Sequence, residues 1–151
     1  MYEIDLRLTA LQRTLNELIA LELAVLSAYE AAEEDLTFDA WRDELGNIRR
    51  SHQDHIVDLC ECLRELGGEL QPYTIERADK APNRTGAVIN PLLAMWFNEE
   101  VVATAYEEAL ELRHLVPHIR VVLLSALEDE QRHYAWLALQ VEAHRPKSYL
   151  H

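Results

Sequence analysis

Hydrophobic residues recur at alternating intervals of four and three along four segments of the chain, which is the spacing of one face of a helix. The segments span about residues 8–35, 43–66, 91–114 and 117–145. Only four glycines and five prolines occur among 151 residues, and this composition favours helices over strands. The pattern predicts an all-α protein of four helices in a single domain over residues 1–151.

The connections predict how these helices are arranged. The short stretches between helices one and two, and between helices three and four, favour two antiparallel hairpins. Gly67-Gly68 is a strong signal for the end of the second helix, and Pro91 and Pro117 suit the first turns of the next two. Residues 67–90 are too many for a tight turn. They predict a long crossover that leaves helices two and three parallel in a four-helix bundle.

Each predicted apolar stripe contains polar residues near its middle. The first and third helices carry an acid there, the second carries two histidines, and the fourth carries an acid and a histidine three residues apart. These six residues are Glu22, His52, His55, Glu99, Glu130 and His133. An isolated buried carboxylate is very costly. We therefore expect the six side chains to meet in the core and to compensate one another.

The two predicted hairpins resemble each other. The segment ELAVLSAYEAA, which begins at Glu22, matches EEVVATAYEEA, which begins at Glu99, at six of eleven positions. The matches include a tyrosine seven residues after each acid, at Tyr29 and Tyr106. In the second helix of each hairpin, HQDH falls on EQRH. This internal repeat predicts an approximate twofold axis that places all six polar residues in one layer.

Such a layer favours metal binding. Mixed oxygen and nitrogen ligands suit iron and manganese, and also zinc. Because a carboxylate can bridge two ions, the layer can form a dinuclear centre. The alternative is a buried, charge-balanced network of acids and protonated histidines without a metal, although such networks are seldom net stabilising.

The motifs resemble those of the ferritin-like superfamily, and the nearest patterns are those of bacterioferritins and rubrerythrins. LNELIALELAVLSAY resembles the bacterioferritin signature LNxxLxxELxxxxxY, HQDHIVDLCECLRELGG resembles ExxH followed by glycine, and DEQRHYAWL resembles DEExHxxWL. The resemblance covers about residues 11–143. It implies an iron site for one or two ions, in which the terminal ligands are Glu22, His55, Glu99 and His133.

The same resemblance implies a bridging role for Glu130. His52 stands where the family has a second bridging glutamate, and we expect it to be an added terminal ligand. Tyr29 and Tyr106 are predicted to be core residues with hydrogen-bonded hydroxyls or to support Glu22 and Glu99; with Glu130 they are the candidate catalytic residues. No haem is expected, because Gln53 occupies the position of the haem-binding methionine.

The implied chemistry is oxidation of Fe(II), or reduction of O2 or peroxide. Two alternatives stay open: a redox-silent helical interaction module with an altered site, and a non-haem iron hydroxylase of unknown substrate. The net charge of −13 argues against nucleic acid or an anionic membrane as a partner. We expect a cytoplasmic protein with free thiols at Cys60 and Cys62, and the resemblance favours a homodimer.

Overall fold

A computed structural model describes residues 2–35, 39–71, 91–113 and 115–143 of the chain. These residues form four helices: α1 (Tyr2–Asp35), α2 (Asp39–Glu65), α3 (Pro91–Leu110) and α4 (Pro117–Ala143). No strand occurs among them, so the predicted all-helical class is confirmed. Within the same ranges, no helix is both long enough and apolar enough to span a bilayer.

Several helix ends differ from the prediction. The first helix begins at Tyr2 rather than near residue 8, and the second begins at Asp39 rather than near residue 43, because both continue beyond their apolar stripes. The third ends at Leu110 rather than near residue 114. There the N–H groups of Glu111 and Leu112 bond to carbonyls three residues back, which tightens and ends the helix. Residues 36–38, the crossover over 72–90 and the predicted end of α4 at 145 lie outside the described residues.

Each helix contacts two neighbours, in the pairs α1–α2, α3–α4, α1–α3 and α2–α4. Near the start of α2, Trp41 donates a hydrogen bond from Nε1 to Gln140 near the end of α4 (3.0 Å). At the opposite end, Glu65 of α2 lies 3.5 Å from His118 of α4. These two helices are therefore antiparallel.

Contacts of α1 give the remaining directions. Gln12, in the first half of α1, donates to the carbonyl of Leu66 just after α2 (3.0 Å), and Glu33, near the end of α1, pairs with Arg49 in the first half of α2, so these two helices are antiparallel. Helix α1 is also antiparallel to α3, because residues 22 and 29 contact residues 106 and 99 respectively. It follows that α2 and α3 are parallel, as the long connection predicted.

The four-three spacing along α4 predicts one buried stripe, and the buried face coincides with it: Ile119, Leu123, Ala126, Glu130, His133 and Leu137. For α3 the same spacing predicts a stripe that includes Trp96, Ala103 and Leu110, and this prediction is partly wrong. These three residues are only half-buried. The buried residues at those turns are Met95, Val102 and Ala109. Apolar residues surround much of this helix, so its pattern alone does not locate the inward face.

The end of α2 is a Schellman motif. Gly67 has a φ of 72°, a conformation that costs L-residues energy, and its N–H bonds to the carbonyl of Arg64 (2.9 Å). The N–H of Gly68 bonds to the carbonyl of Leu63 (2.9 Å). The predicted end of the helix at Gly67-Gly68 is therefore confirmed. After this turn the chain contacts α1, where Asn16 accepts a hydrogen bond from the N–H of Gln71 (2.9 Å).

We expect Gly67→Ala to lower the free energy of unfolding by about 1 kcal/mol, because alanine resists a positive φ. Gly46→Ala is the matched control. Gly46 lies inside α2, and its added methyl group meets only the end of the Arg50 side chain at 3.6 Å. This control should raise stability by up to about 1 kcal/mol. Urea denaturation measures both changes, and equal effects of the two substitutions would contradict the assigned cap.

Candidate metal centre

The structure brings all six predicted site residues together in the core. One acid comes from α1 and one from α3, two histidines come from α2, and an acid and a histidine come from α4. None is more than 8% exposed: Glu22, His52, His55, Glu99, Glu130 and His133. On α2 and α4, the three-residue spacing points both polar side chains to the same face. Their convergence agrees with the prediction, and their role as metal ligands stays a prediction.

The six residues form two overlapping groups, each with four ligand atoms within 4.8 Å of one another. The first group contains Glu22, His52, His55 and Glu130, and the second contains His52, Glu99, Glu130 and His133. Each group therefore has one glutamate and one histidine of its own. His52 and Glu130 belong to both.

The first group is closely packed. Nδ1 of His52 lies 2.6 Å from Oε2 of Glu22, and Nδ1 of His55 lies 3.2 Å from Oε1 of the same carboxylate. Nδ1 of His55 is also 2.9 Å from Oε1 of Glu130. Two ring nitrogens and two carboxylates thus face a common point.

The second group is more open. Nε2 of His52 lies 2.8 Å from Oε1 of Glu99. Nδ1 of His133 is 3.6 Å from Oε2 of Glu99 and 3.5 Å from Oε2 of Glu130. These longer separations leave more space between the ligand atoms than in the first group.

Two buried tyrosines hold the acids in a crossed arrangement. Tyr29 of α1 donates its hydroxyl hydrogen bond to Oε1 of Glu99 on α3 (2.5 Å). Tyr106 of α3 donates to Oε1 of Glu22 on α1 (2.8 Å). Burial, together with the neighbouring carboxylates, raises the pKa of both hydroxyls, so they remain proton donors. Both predicted roles hold at once, since each tyrosine is a core residue and supports a site acid on the other helix.

Asp129 is a site residue that sequence reasoning missed. Its Oδ2 lies 2.8 Å from Nε2 of His55. A carboxylate in this position holds a proton on Nε2 and leaves Nδ1 free for a metal. The available signal was its place as the first acid of the DEQRHYAWL motif. The corresponding residue of the first hairpin is Ser51, and no carboxylate of the described residues pairs with Nε2 of His133.

Protonation in the metal-free cluster is strongly perturbed. Burial opposes ionisation of Glu22, but His52 and His55 outweigh it and lower the pKa of Glu22 to about 2. Burial likewise opposes the charge of the histidines, yet nearby carboxylates raise the pKa of His55 to about 11 and that of His133 to about 9. Burial and the charge of Glu99 raise the pKa of Glu130 to about 8.

The cluster does not satisfy itself as a closed network. Four buried atoms have ion-pair contacts of 2.9 to 3.6 Å but no hydrogen bond of good geometry: Oε2 of Glu99, both carboxylate oxygens of Glu130, and Nδ1 of His133. Unpaired buried polar atoms are costly, and all four belong to the second group or to the shared acid. A metal ion would supply the missing partner. The donor set of oxygen and imidazole nitrogen suits iron, manganese or zinc, so the residues present fit a metal centre.

A cleft of about 370 Å³ between α2 and α4 reaches the first group from outside. His55 and Asp129 line it, together with the exposed acids Asp54 and Asp58. Negative side chains along such an approach attract cations.

No family model matches the sequence, and a search of characterised proteins finds no similar chain. The assignment therefore depends on the geometry of the site.

The metal-free protein should be most stable at about pH 5 and lose stability towards pH 9. Between pH 4.5 and 8 the unfolded chain releases a proton that folded Glu130 retains, so stability falls as pH rises. The stabilisation from protonated His133 is complete below pH 6.5 and is lost as pH rises through about 9. Below pH 4.5, protonation of Glu22 removes stability again. Urea denaturation of chelator-treated protein across this range measures the profile.

His133→Gln provides the control for the alkaline side of that profile. The variant should have a shallower decline between pH 6.5 and 9, because the raised pKa of His133 no longer contributes. An unchanged slope would contradict the assigned proton.

Asp129→Asn should weaken metal binding about 10- to 100-fold, because the amide no longer holds the Nε2 proton of His55 as a carboxylate does. Asp54→Asn is the charge-matched control, since Asp54 is exposed on the same cleft. Competition between the protein and a chromophoric chelator for Co(II) measures both affinities. Equal losses of metal affinity in the two variants would show that the charge of the cleft, and not the contact between Asp129 and His55, determines the affinity.

Proposed function

We propose that this chain is a ferritin-like protein that holds two iron ions in the layer of six residues and uses them to oxidise Fe(II) or to reduce O2 or peroxide. Support comes from the four-helix arrangement, the repeat and the buried mixed ligand set. The one observation that carries the proposal is the pair of four-residue groups that share Glu130 and His52.

The first ion would be held by Glu22 and His55, and the second by Glu99 and His133, with Glu130 between them. When bound, the two ions would supply the redox chemistry, because each Fe(II) can give one electron to O2 or to peroxide. Iron is favoured over manganese because half of the six ligands are imidazoles, which suit iron, zinc and copper.

The protein's own part is to fix the ligands. Tyr29 and Tyr106 hold Glu99 and Glu22 in place through hydrogen bonds from their hydroxyls. Reduction of O2 to hydrogen peroxide by two electrons also consumes two protons, which solvent supplies, because the raised pKa values of the two hydroxyls make them weak acids. The apolar layers around the six residues exclude bulk water, which strengthens the interactions between ligands and ions.

The cleft lined by acids provides an approach for Fe(II). Its carboxylates, and the net charge of −13, favour a cationic substrate over nucleic acid or an anionic lipid surface. Assembly as a homodimer in the cytoplasm remains the expectation drawn from the resemblance.

A redox-silent helical module is the alternative that one contact favours. His52 lies between Glu22 and Glu99, at 2.6 and 2.8 Å, so its protonated ring pairs with both acids through a single positive charge. The two functions differ in whether the protein consumes O2 when it is given Fe(II).

Aerobic addition of Fe(II) to metal-free protein should consume one O2 for each pair of Fe(II) ions, where peroxide is the product, and develop near-ultraviolet absorbance of oxidised iron. Glu99→Gln should slow this oxidation at least about tenfold, because an amide oxygen binds iron more weakly than a carboxylate. Glu100→Gln, the exposed neighbour on α3, should leave the rate unchanged. Oxidation no faster than in buffer alone would reject the function and favour the redox-silent module.

A further inference from the structure

We propose that His52 bridges the two metal positions as an imidazolate, with Nδ1 on one ion and Nε2 on the other, opposite the bridging carboxylate of Glu130. This inference rests on the proposed two-ion site and names how the second ion is held there. The sequence predicted an added terminal ligand at this position.

His52 and Glu130 are the two site residues whose ligand atoms face both groups. Oε1 of Glu130 faces His55 of the first group and Oε2 faces His133 of the second, so this carboxylate points one oxygen into each group. The ring of His52 does the same, since Nδ1 faces Glu22 and Nε2 faces Glu99. The other four residues each direct their ligand atoms to a single group.

The internal repeat also indicates that both groups share His52. His52 corresponds to Glu130 when the second helices of the two hairpins are superimposed in sequence. Since Glu130 is shared between both groups, an approximate twofold axis requires that its counterpart be shared as well. A terminal role for His52 would complete one group and leave the other with three ligands.

The ring of His52 is held in place by its neighbours. Its side chain is completely buried. The ring of Tyr29 lies 5.3 Å away and that of His133 5.4 Å away, measured between centroids. Carboxylates contact both of its nitrogens, so rotation of the ring would break two hydrogen bonds at once. The bridging orientation is therefore already formed before any ion binds.

Bridging by His52 requires no change of oxidation state. As each nitrogen of His52 binds an ion, it gives up its proton to solvent, and no electron is transferred.

The competing arrangement keeps His52 as a protonated cation. In that case its N–H groups continue to donate to Glu22 and Glu99, and the ring takes the place of one ion. The chain would then bind a single divalent ion among the remaining ligands.

Copper(II) is a suitable probe, because it binds tightly to imidazole and carboxylate and has one unpaired electron. Metal-free native protein is loaded with one and then two equivalents of Cu(II) per chain, and elemental analysis confirms the loading. An imidazolate bridge couples the two spins. The integrated EPR signal at low temperature should therefore fall well below the one-equivalent value when the second ion binds. A signal that doubles, or a chain that accepts only one ion, would overturn the proposal without any variant.

Two substitutions then assign the coupling to one bridge, with folding checked by circular dichroism. His52→Gln removes the ring, and the coupling should be lost, whether one ion or two remain bound. Glu130→Gln removes the other bridge while His52 is retained, and the coupling should persist at two equivalents. Coupling that survives in His52→Gln but disappears in Glu130→Gln would overturn the proposal.

The copper measurement and the Fe(II) oxidation assay can give negative results independently of each other. A protein that oxidises Fe(II) but shows two uncoupled copper ions would keep its oxidase function and lose the His52 bridge. A protein with coupled copper ions and no Fe(II) oxidation would keep the bridge and reject the oxidase.

Discussion

Three carboxylates and three imidazoles are buried in one layer, and the rest of the structure depends on how they compensate one another. Each acid accepts from, or lies beside, at least one ring nitrogen, and the pKa of Glu22 is lowered while those of the histidines are raised. The compensation is incomplete, since four ligand atoms make no hydrogen bond of good geometry. A protein evolved for stability alone gains nothing from such a layer, because apolar residues of similar volume would pack there at lower cost. The buried polar layer is therefore the strongest physical support for the proposed metal site.

Approximate twofold symmetry explains how so small a chain builds this layer. Each hairpin supplies an acid from its first helix and a pair of polar residues from its second, and each tyrosine crosses to the acid of the other hairpin. The crossing ties α1 to α3 at the level of the site. Two positions depart from the symmetry. His52 occupies the position that corresponds to the acid Glu130, and Ser51 occupies the position that corresponds to Asp129. The two proposed metal positions consequently differ, because Asp129 orients His55 and, among the described residues, no carboxylate pairs with Nε2 of His133.

Sequence reasoning succeeded where a residue contradicted its surroundings. Glu22 and Glu99 interrupt apolar stripes, and a buried acid demands a partner, so their convergence with the histidines followed from a general cost. The inward face of a helix was predicted incorrectly where apolar residues lie on most of its surface. Helix α3 is apolar on much of its surface, and its inward face was placed about one residue away from Met95, Val102 and Ala109. Asp129 was not predicted, because a single acid at the edge of a helix's apolar stripe is common and does not by itself indicate a functional site. In the structure its side chain is partly exposed.

The sequence by itself determined the helical class, the parallel relation of α2 and α3, and the six polar residues of the core, because periodicity and burial cost act locally along each helix. Only the tertiary structure decided which atom of each residue faces which neighbour. The crossed hydrogen bonds of Tyr29 and Tyr106, and the presence of His52 in both ligand groups, depend on the rotation and offset of packed helices. Those quantities are set by contacts between segments far apart in the chain, and no local pattern encodes them.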